Sequence, residues 1–191
     1  MAQPNILVLM ADQLNPKFLS AYGDEIAQTP TINRLAREGV VFDSAYCNSP
    51  LCAPSRYAFL TGQLASRIGA YDNASELTAA TPTFAHYLRD EGYRTILAGK
   101  MHFCGPEQLH GFEERLTTDI YPADFGWVPD WQKPHDKLVW FHNMSSVTDA
   151  GPCVCTNQLD FDDEVVFCTR QKLYDLMRES DPRPFVALRL P

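Results

Sequence analysis

Two short stretches bring together residue types that could attack and neutralise an oxyanion ester. In Ser49-Pro50-Leu51-Cys52-Ala53-Pro54-Ser55-Arg56 a thiol precedes a guanidinium, and in Ala98-Gly99-Lys100-Met101-His102 an ammonium precedes an imidazole. Pro54 suits the first turn of a helix, since it lacks the N–H that would be orphaned there, so Cys52 is expected at or just before the N-cap with Arg56 one turn on. A helix N-terminus offers free N–H donors and a positive dipole end, which suits sulfate or phosphate and favours a thiolate nucleophile. Cys52 is therefore a candidate nucleophile, and a buried structural cysteine is the competing reading. An extended chain would turn Lys100 and His102 to one side, where they could neutralise an ester oxygen and protonate a leaving alkoxide. The alternative is a surface lysine beside a packed histidine. Asp12 follows an apolar run and is either a metal or substrate ligand or a cap aspartate.

The elements that must hold these residues can be read from apolar runs and turn formers. Asn5–Met10 is continuous and of strand length, as expected for a parallel strand buried on both faces. Thr29-Pro30-Thr31 opens a helix through Ile32, Leu35 and Ala36 that Gly39 closes, with a strand expected over 40–46. Thr81-Pro82-Thr83 opens another, carrying Phe84, Tyr87 and Leu88, stopped by Gly92 and followed by a strand over 93–98. Residues 107–143 hold Phe112, Tyr121, Phe125, Trp127, Trp131, Trp140 and Phe141 among prolines, and read as a long loop whose aromatic faces suit a quaternary ammonium group or form a satellite cluster. A helix is expected over 162–179 with Val166, Leu173, Leu176 and Met177 on a shared side, and a last strand over 185–190. Helices alternating with apolar strands predict an α/β fold, a mostly parallel sheet flanked by helices.

Composition excludes several classes. With 191 residues, 45% hydrophobic, the chain is long enough for one core, and nothing reads as repetitive or disordered. A net charge of −8, from 16 basic and 24 acidic residues, argues against nucleic acid or an anionic membrane as the main partner. No stretch approaches the roughly 20 apolar residues of a membrane span, and no signal peptide is recognisable, so a cytoplasmic location is expected. Six cysteines in that setting read as reduced thiols, and Cys153-Val154-Cys155 has the wrong spacing for a zinc knuckle. Only three residues separate Cys52 from Arg56, whereas cysteine phosphatases cradle phosphate in a loop of five.

Cys-Ala-Pro-Ser-Arg at 52–56 resembles the Cys-x-Pro-Ser-Arg signature of type I sulfatases, and Gly-Lys-x-His after a strand is a pattern of the same family. Within it the likeness is greatest to the choline sulfatase branch. It is carried by Asn-Ile-Leu-Val-Leu-Met-Ala-Asp-Gln-Leu at 5–14, Ser-Pro-Leu-Cys-Ala-Pro at 49–54, Gly-Lys-Met-His-Phe at 99–103 and the stretch from Gly105 to Trp127. The resemblance runs from about Pro4 to Pro184. It implies an alkaline-phosphatase-like sulfatase fold and hydrolysis of choline O-sulfate to choline and sulfate. It also implies that Cys52 becomes formylglycine through a formylglycine-generating or other sulfatase-maturing enzyme, and that Asp12 and residue 52 ligate a divalent cation such as Ca, Mn or Mg. Arg56 and Lys100 would stabilise the hydrate and the sulfate charge, and His102 would assist release of sulfate. Asn73, Trp127, His142 and Asn143 would line the substrate pocket, with 105–143 as its aromatic-rich loop.

Two departures qualify the likeness. Gln13 stands where many sulfatases have a second aspartate, although the choline sulfatase likeness includes it. Family members also continue beyond a strand equivalent to 185–190 with further catalytic and metal-binding residues and a C-terminal subdomain. Residues 1–191 are therefore expected to be the N-terminal part of the catalytic domain, inactive alone and homo-oligomeric when full length. The competing functions are a phosphate or phosphonate monoester hydrolase of the same superfamily and a non-catalytic choline-binding fragment.

Overall fold

The computed structural model describes residues 3–121, 123, 130, 132–136, 144–180 and 183–190. Two compact units form, one from Ala11–Cys47 and the other from Met1–Met10 together with Asn48–Pro191.

The larger unit is built on a four-stranded sheet of order β1-β4-β2-β3, formed by β1 (Ile6–Leu9), β2 (Arg94–Gly99), β3 (Glu114–Arg115) and β4 (Phe185–Leu190). Every pairing is parallel, with Leu7 opposite Ala187 and Ile96 opposite both Ala187 and Glu114. Alternate side chains of the inner strands feed two layers. Leu97, Leu188 and Leu190 pack with Ala53, Tyr57 and Leu60 of α2 (Cys52–Thr61) and Ala85 of α3 (Phe84–Asp90). Ile96, Ala98 and Ala187 pack on the other face with Phe161, Val165 and Leu176 of α5 (Asn157–Met177). A parallel strand buried on both faces favours apolar residues, as in Ile96–Ala98 at the centre of β2.

Several expectations are corrected in detail. β1 alternates between half-buried and exposed residues, because it is an edge strand and Leu7 and Leu9 face outward at 48% and 58% exposure. α5 begins five residues earlier than expected, since Thr156 caps it by accepting the Leu159 amide. Its buried stripe is Phe161, Val165, Thr169 and Leu176, spaced by four, four and seven along one face, whereas Val166 and Met177 point outward. The stretch over 107–143 is not loop throughout, because Glu114–Arg115 pairs with β2. The short helix α4 (Ser145–Thr148) precedes α5.

The smaller unit holds α1 (Pro30–Glu38), with Pro30 at its first position and Gly39 at its end as expected, preceded by single helical turns at Pro16–Phe18 and Ser20–Tyr22. The strand expected over 40–46 does not form. Val40, Phe42 and Tyr46 are 77%, 68% and 92% exposed, and β-propensity without a partner strand does not make a ladder. The contact of that stretch here is a hydrogen bond from the Tyr22 hydroxyl to the Phe42 carbonyl at 3.0 Å.

Candidate active site

Cys52 is the first residue of α2, one position later than the N-cap expectation, with Leu51 as the cap. Leu51 has no polar side chain to satisfy the helix start. Asn73 does so from a distance, its Oδ1 accepting the Ala53 amide at 3.0 Å, while Pro54 contributes no donor to be satisfied. This is where the structure places Asn73, predicted as a substrate-pocket residue. The far end of α2 closes at Gly62, whose φ of 65° and amide bond to the Ala58 carbonyl form a left-handed cap.

Lys100 reaches this helix start, its Nζ lying 3.5 Å from Cys52 Sγ. The same ammonium sits 4.7 Å above the centroid of the Tyr121 ring, and the His102 ring lies 5.0 Å from that ring. The two basic residues thus meet at one aromatic surface, though not by the expected extended backbone. Gly99 has φ 93° and His102 has φ 62°, so the chain turns sharply as it leaves β2. At Gly99 the turn requires glycine, because a Cβ would lie 1.5 Å from the Leu190 carbonyl oxygen.

The turn is anchored through its backbone. Lys100 is 7% and His102 2% exposed, so unpaired peptide groups there would be costly, about 1–3 kcal/mol each. The Arg56 guanidinium donates to the Lys100 carbonyl, which sets Arg56 to holding the turn. The Tyr57 hydroxyl donates to the His102 carbonyl at 2.7 Å, with the Ser75 carbonyl 3.2 Å away sharing the same proton. Burial pushes the Tyr57 hydroxyl well above the ordinary tyrosine value, so it remains a donor at all working pH. Asp119 Oδ2 accepts the Met101 and His102 amides at 2.8 and 2.7 Å. Sequence reasoning missed Tyr57 and Asp119; the one signal for Asp119 is its spacing of four from Arg115, with which it forms a buried ion pair at 3.0 Å.

Asp12 is half-buried in a turn of the smaller unit, beside Gln13 with φ 54°. Trp127, His142 and Asn143 lie outside the described residues. Among the described residues no three His, Cys, Asp or Glu side chains converge as a cation site. A hard divalent cation takes about six or more oxygens, more than Asp12 and residue 52 supply by themselves. None of the six cysteines is joined in a disulfide. Among the described residues no helix is long and apolar enough to cross a membrane.

Comparison with known proteins places this geometry. The family model described as Sulfatase matches residues 4–180. The choline-sulfatase of Rhizobium meliloti (strain 1021) is 54% identical over 180 residues, covering 94% of this chain and 35% of that protein. The N-acetylglucosamine-6-O-sulfatase of Bacteroides thetaiotaomicron is 38% identical over 130 residues, covering 64% of this chain and 23% of that protein. The chain therefore spans about a third or less of the length of these relatives. Among solved structures, the complex of BT4656 with its substrate D-glucosamine-2-N,6-O-disulfate superposes with a TM-score of 0.65 at 24% identity, covering 99% of this chain and 34% of that one. The phosphonate monoester hydrolase of Agrobacterium radiobacter does so with a TM-score of 0.64 at 22% identity, covering 98% and 41%. At those identities the structural likeness is one of fold, alkaline-phosphatase-like with helices on both sides of a parallel sheet. A family model matched over nearly the whole chain and a relative more than half identical make this chain a member of the sulfatase family.

Proposed function

We propose that this chain carries the nucleophile-bearing part of a sulfuric ester hydrolase centre that acts on choline O-sulfate and yields choline and sulfate. The observation that carries the reading is the approach of Lys100 Nζ to Cys52 Sγ, 3.5 Å, at the first residue of a helix. The choice of choline O-sulfate rests on the 54% identity to a choline-sulfatase. Residue 52, converted to formylglycine by a sulfatase-maturing enzyme, supplies a hydrated aldehyde oxygen for attack on sulfur. As that oxygen bonds to sulfur the S–O bond to choline breaks, and loss of the proton of the hydrate's other hydroxyl then re-forms the aldehyde and releases sulfate; Lys100, His102 and Arg56 of this chain contribute to those steps. Lys100 sets a positive charge beside that position, where it offsets the charge of the sulfate oxygens. The helix N-terminus adds its dipole in the same direction. His102, held against the same tyrosine ring, is placed to give a proton to the departing alcohol oxygen. Arg56 supports this arrangement through the Lys100 carbonyl. Asp12 as a cation ligand, and Asn73, Trp127, His142 and Asn143 as the pocket for the ammonium end, rest on family resemblance. Self-association of the full-length protein has the same support.

The test is the mass of the peptide spanning residue 52 after co-expression with a formylglycine-generating enzyme, followed by a search for sulfate release from choline O-sulfate. Thiol-to-aldehyde conversion, absent in Cys52→Ala, is the expected result. An unconverted thiol in a competent host would overturn the assignment of residue 52. Release of phosphate from phosphocholine in preference to sulfate from choline O-sulfate would turn the reading toward a phosphate monoester hydrolase.

A further inference from the structure

The carboxylate of Asp119 has no part in the reaction just described, yet it is among the most heavily engaged side chains beside it. Its side chain is 4% exposed. Oδ2 accepts the Met101 amide at 2.8 Å, the His102 amide at 2.7 Å and the Arg115 guanidinium at 3.0 Å, and Oδ1 accepts the Tyr121 amide at 3.3 Å. Burying a carboxylate is expensive, and two backbone amides could have been satisfied more cheaply by a carbonyl. What the carboxylate adds is a pair of charge-assisted bonds, shorter and stronger than neutral ones, at the point where the backbone is hardest to hold. His102 has φ 62°, a conformation non-glycine residues rarely adopt, and it persists only where its surroundings over-determine it.

The connection runs on to the side chains. Tyr121, two residues after Asp119, presents the ring on which both Lys100 Nζ and the His102 imidazole rest. One short segment therefore fixes the backbone of the turn with Asp119 and its two basic side chains with Tyr121. Arg115 fixes that segment in turn, since its guanidinium also donates to Gln108 Oε1 and, at 3.3 Å, to the Gln108 carbonyl.

We propose that Asp119 is a positioning residue for the reaction: its carboxylate, backed by Arg115, clamps the Met101 and His102 amides and so sets Lys100 and His102 against Tyr121 beside residue 52. Its relevance to turnover rests on the function proposed above, but the clamp itself is a property of the chain whether or not residue 52 is converted.

The experiment is nuclear magnetic resonance on the full 191-residue chain with Cys52 unconverted, comparing wild type, Asp119→Asn and Asp119→Ala. The wild type should show the Met101 and His102 amide protons far downfield and slow to exchange. Lys100 side-chain protons should be shifted upfield by the Tyr121 ring. Asp119→Asn keeps an oxygen toward both amides, so the Lys100 ring shift should survive while the two amide protons move upfield. Their exchange should quicken about tenfold, the loss of roughly one charge-assisted contribution. Asp119→Ala should abolish the Lys100 ring shift with the β2 amides of Ile96–Ala98 still protected. If that variant does not fold, the Asn variant decides alone. Unchanged Met101 and His102 exchange in Asp119→Asn, or an unchanged Lys100 ring shift in a folded Asp119→Ala, overturns the proposal. Because none of these signals depends on conversion of residue 52, a failure here leaves the proposed reaction standing, and a failure of that reaction leaves the clamp.

Discussion

β1 and β2 both end on residues with candidate chemistry, but the two ends are built differently. β2 is buried on both faces, and the turn after it is tied to α2 and to the Arg115–Asp119 segment by backbone hydrogen bonds. β1 is an edge strand with every second residue exposed, and the chain beyond Met10 enters a separate compact unit. In sequence the two look alike, an apolar run followed by polar residues at its carboxyl end, where open α/β sheets bind ligands. What marks the β2 end is that two independent elements of its own unit, α2 and the Arg115–Asp119 segment, converge on Gly99–His102, and this is why Lys100 reaches Cys52.

The sharpest way to break this difference is at the glycines. Gly99→Ala forces a Cβ to within 1.5 Å of the Leu190 oxygen at φ 93°, so β2 and β4 must separate or the turn must be rebuilt. We expect a loss of more than about 4 kcal/mol in urea unfolding, among the largest effects a single substitution gives. Gly23→Ala in the smaller unit has nearly the same φ, 97°, with nothing within 4 Å of the added carbon. It should cost only the left-handed backbone strain, about 1–2 kcal/mol. Equal losses would mean that close packing at β2 does not distinguish the two regions.

A smaller effect separates the strands themselves. Leu97 is fully buried in the layer against α2, so Leu97→Ala should cost about 2–5 kcal/mol by lost burial and the cavity left behind. Leu9 is 58% exposed on the outer face of β1, so Leu9→Ala should stay within about 0.5 kcal/mol. Thermal unfolding of the two variants measures both. A large loss at Leu9 would show that its face of β1 is covered in solution.

How much of this was legible follows the same division. The strand over 185–190, the Thr29-Pro30-Thr31 helix start and the Cys-x-Pro-Ser-Arg helix were readable because local rules govern them: apolar runs, proline at a first turn and glycine at an end; at 81–83 Pro82 instead precedes the cap Thr83, and α3 starts only at Phe84. The inward face of α5 was read correctly at Leu173 and Leu176 and misread at Val166 and Met177, which are as apolar as Val165, because only packing selects which stripe turns inward. The strand over 40–46 was misread because β-rich composition does not supply a partner. The role of Asp119 was hidden because, Arg115 aside, its partners are backbone amides, which carry no side-chain signature, and the capping role of Asn73 because the helix start it caps lies twenty residues earlier.

The smallest expected effect is a pH dependence on the β2 side. His110 is 2% exposed with φ 42°, and among the described residues neither ring nitrogen has a hydrogen-bond partner. Burial holds its imidazole below the ordinary histidine value, opposed by Glu107 and aided by His86 and Arg115. The sign follows from proton uptake: below the ordinary histidine value the unfolded chain binds a proton that the folded chain refuses. Stability is therefore full above that value and falls as pH drops towards the lowered one. Glu107 behaves in the same direction lower on the scale, its carboxyl held below the ordinary range by the His110 and Leu109 amides, each at 2.8 Å. Replacing His110 by Phe removes the titrating group and keeps a ring for the contact with Phe103, now at 4.3 Å between centroids. The stability curve of His110→Phe, measured by urea unfolding between about pH 5 and 7.5, should be flatter than that of wild type. An equally steep curve would place the acid sensitivity at other histidines and leave the packing around Phe103 without a titrating contribution.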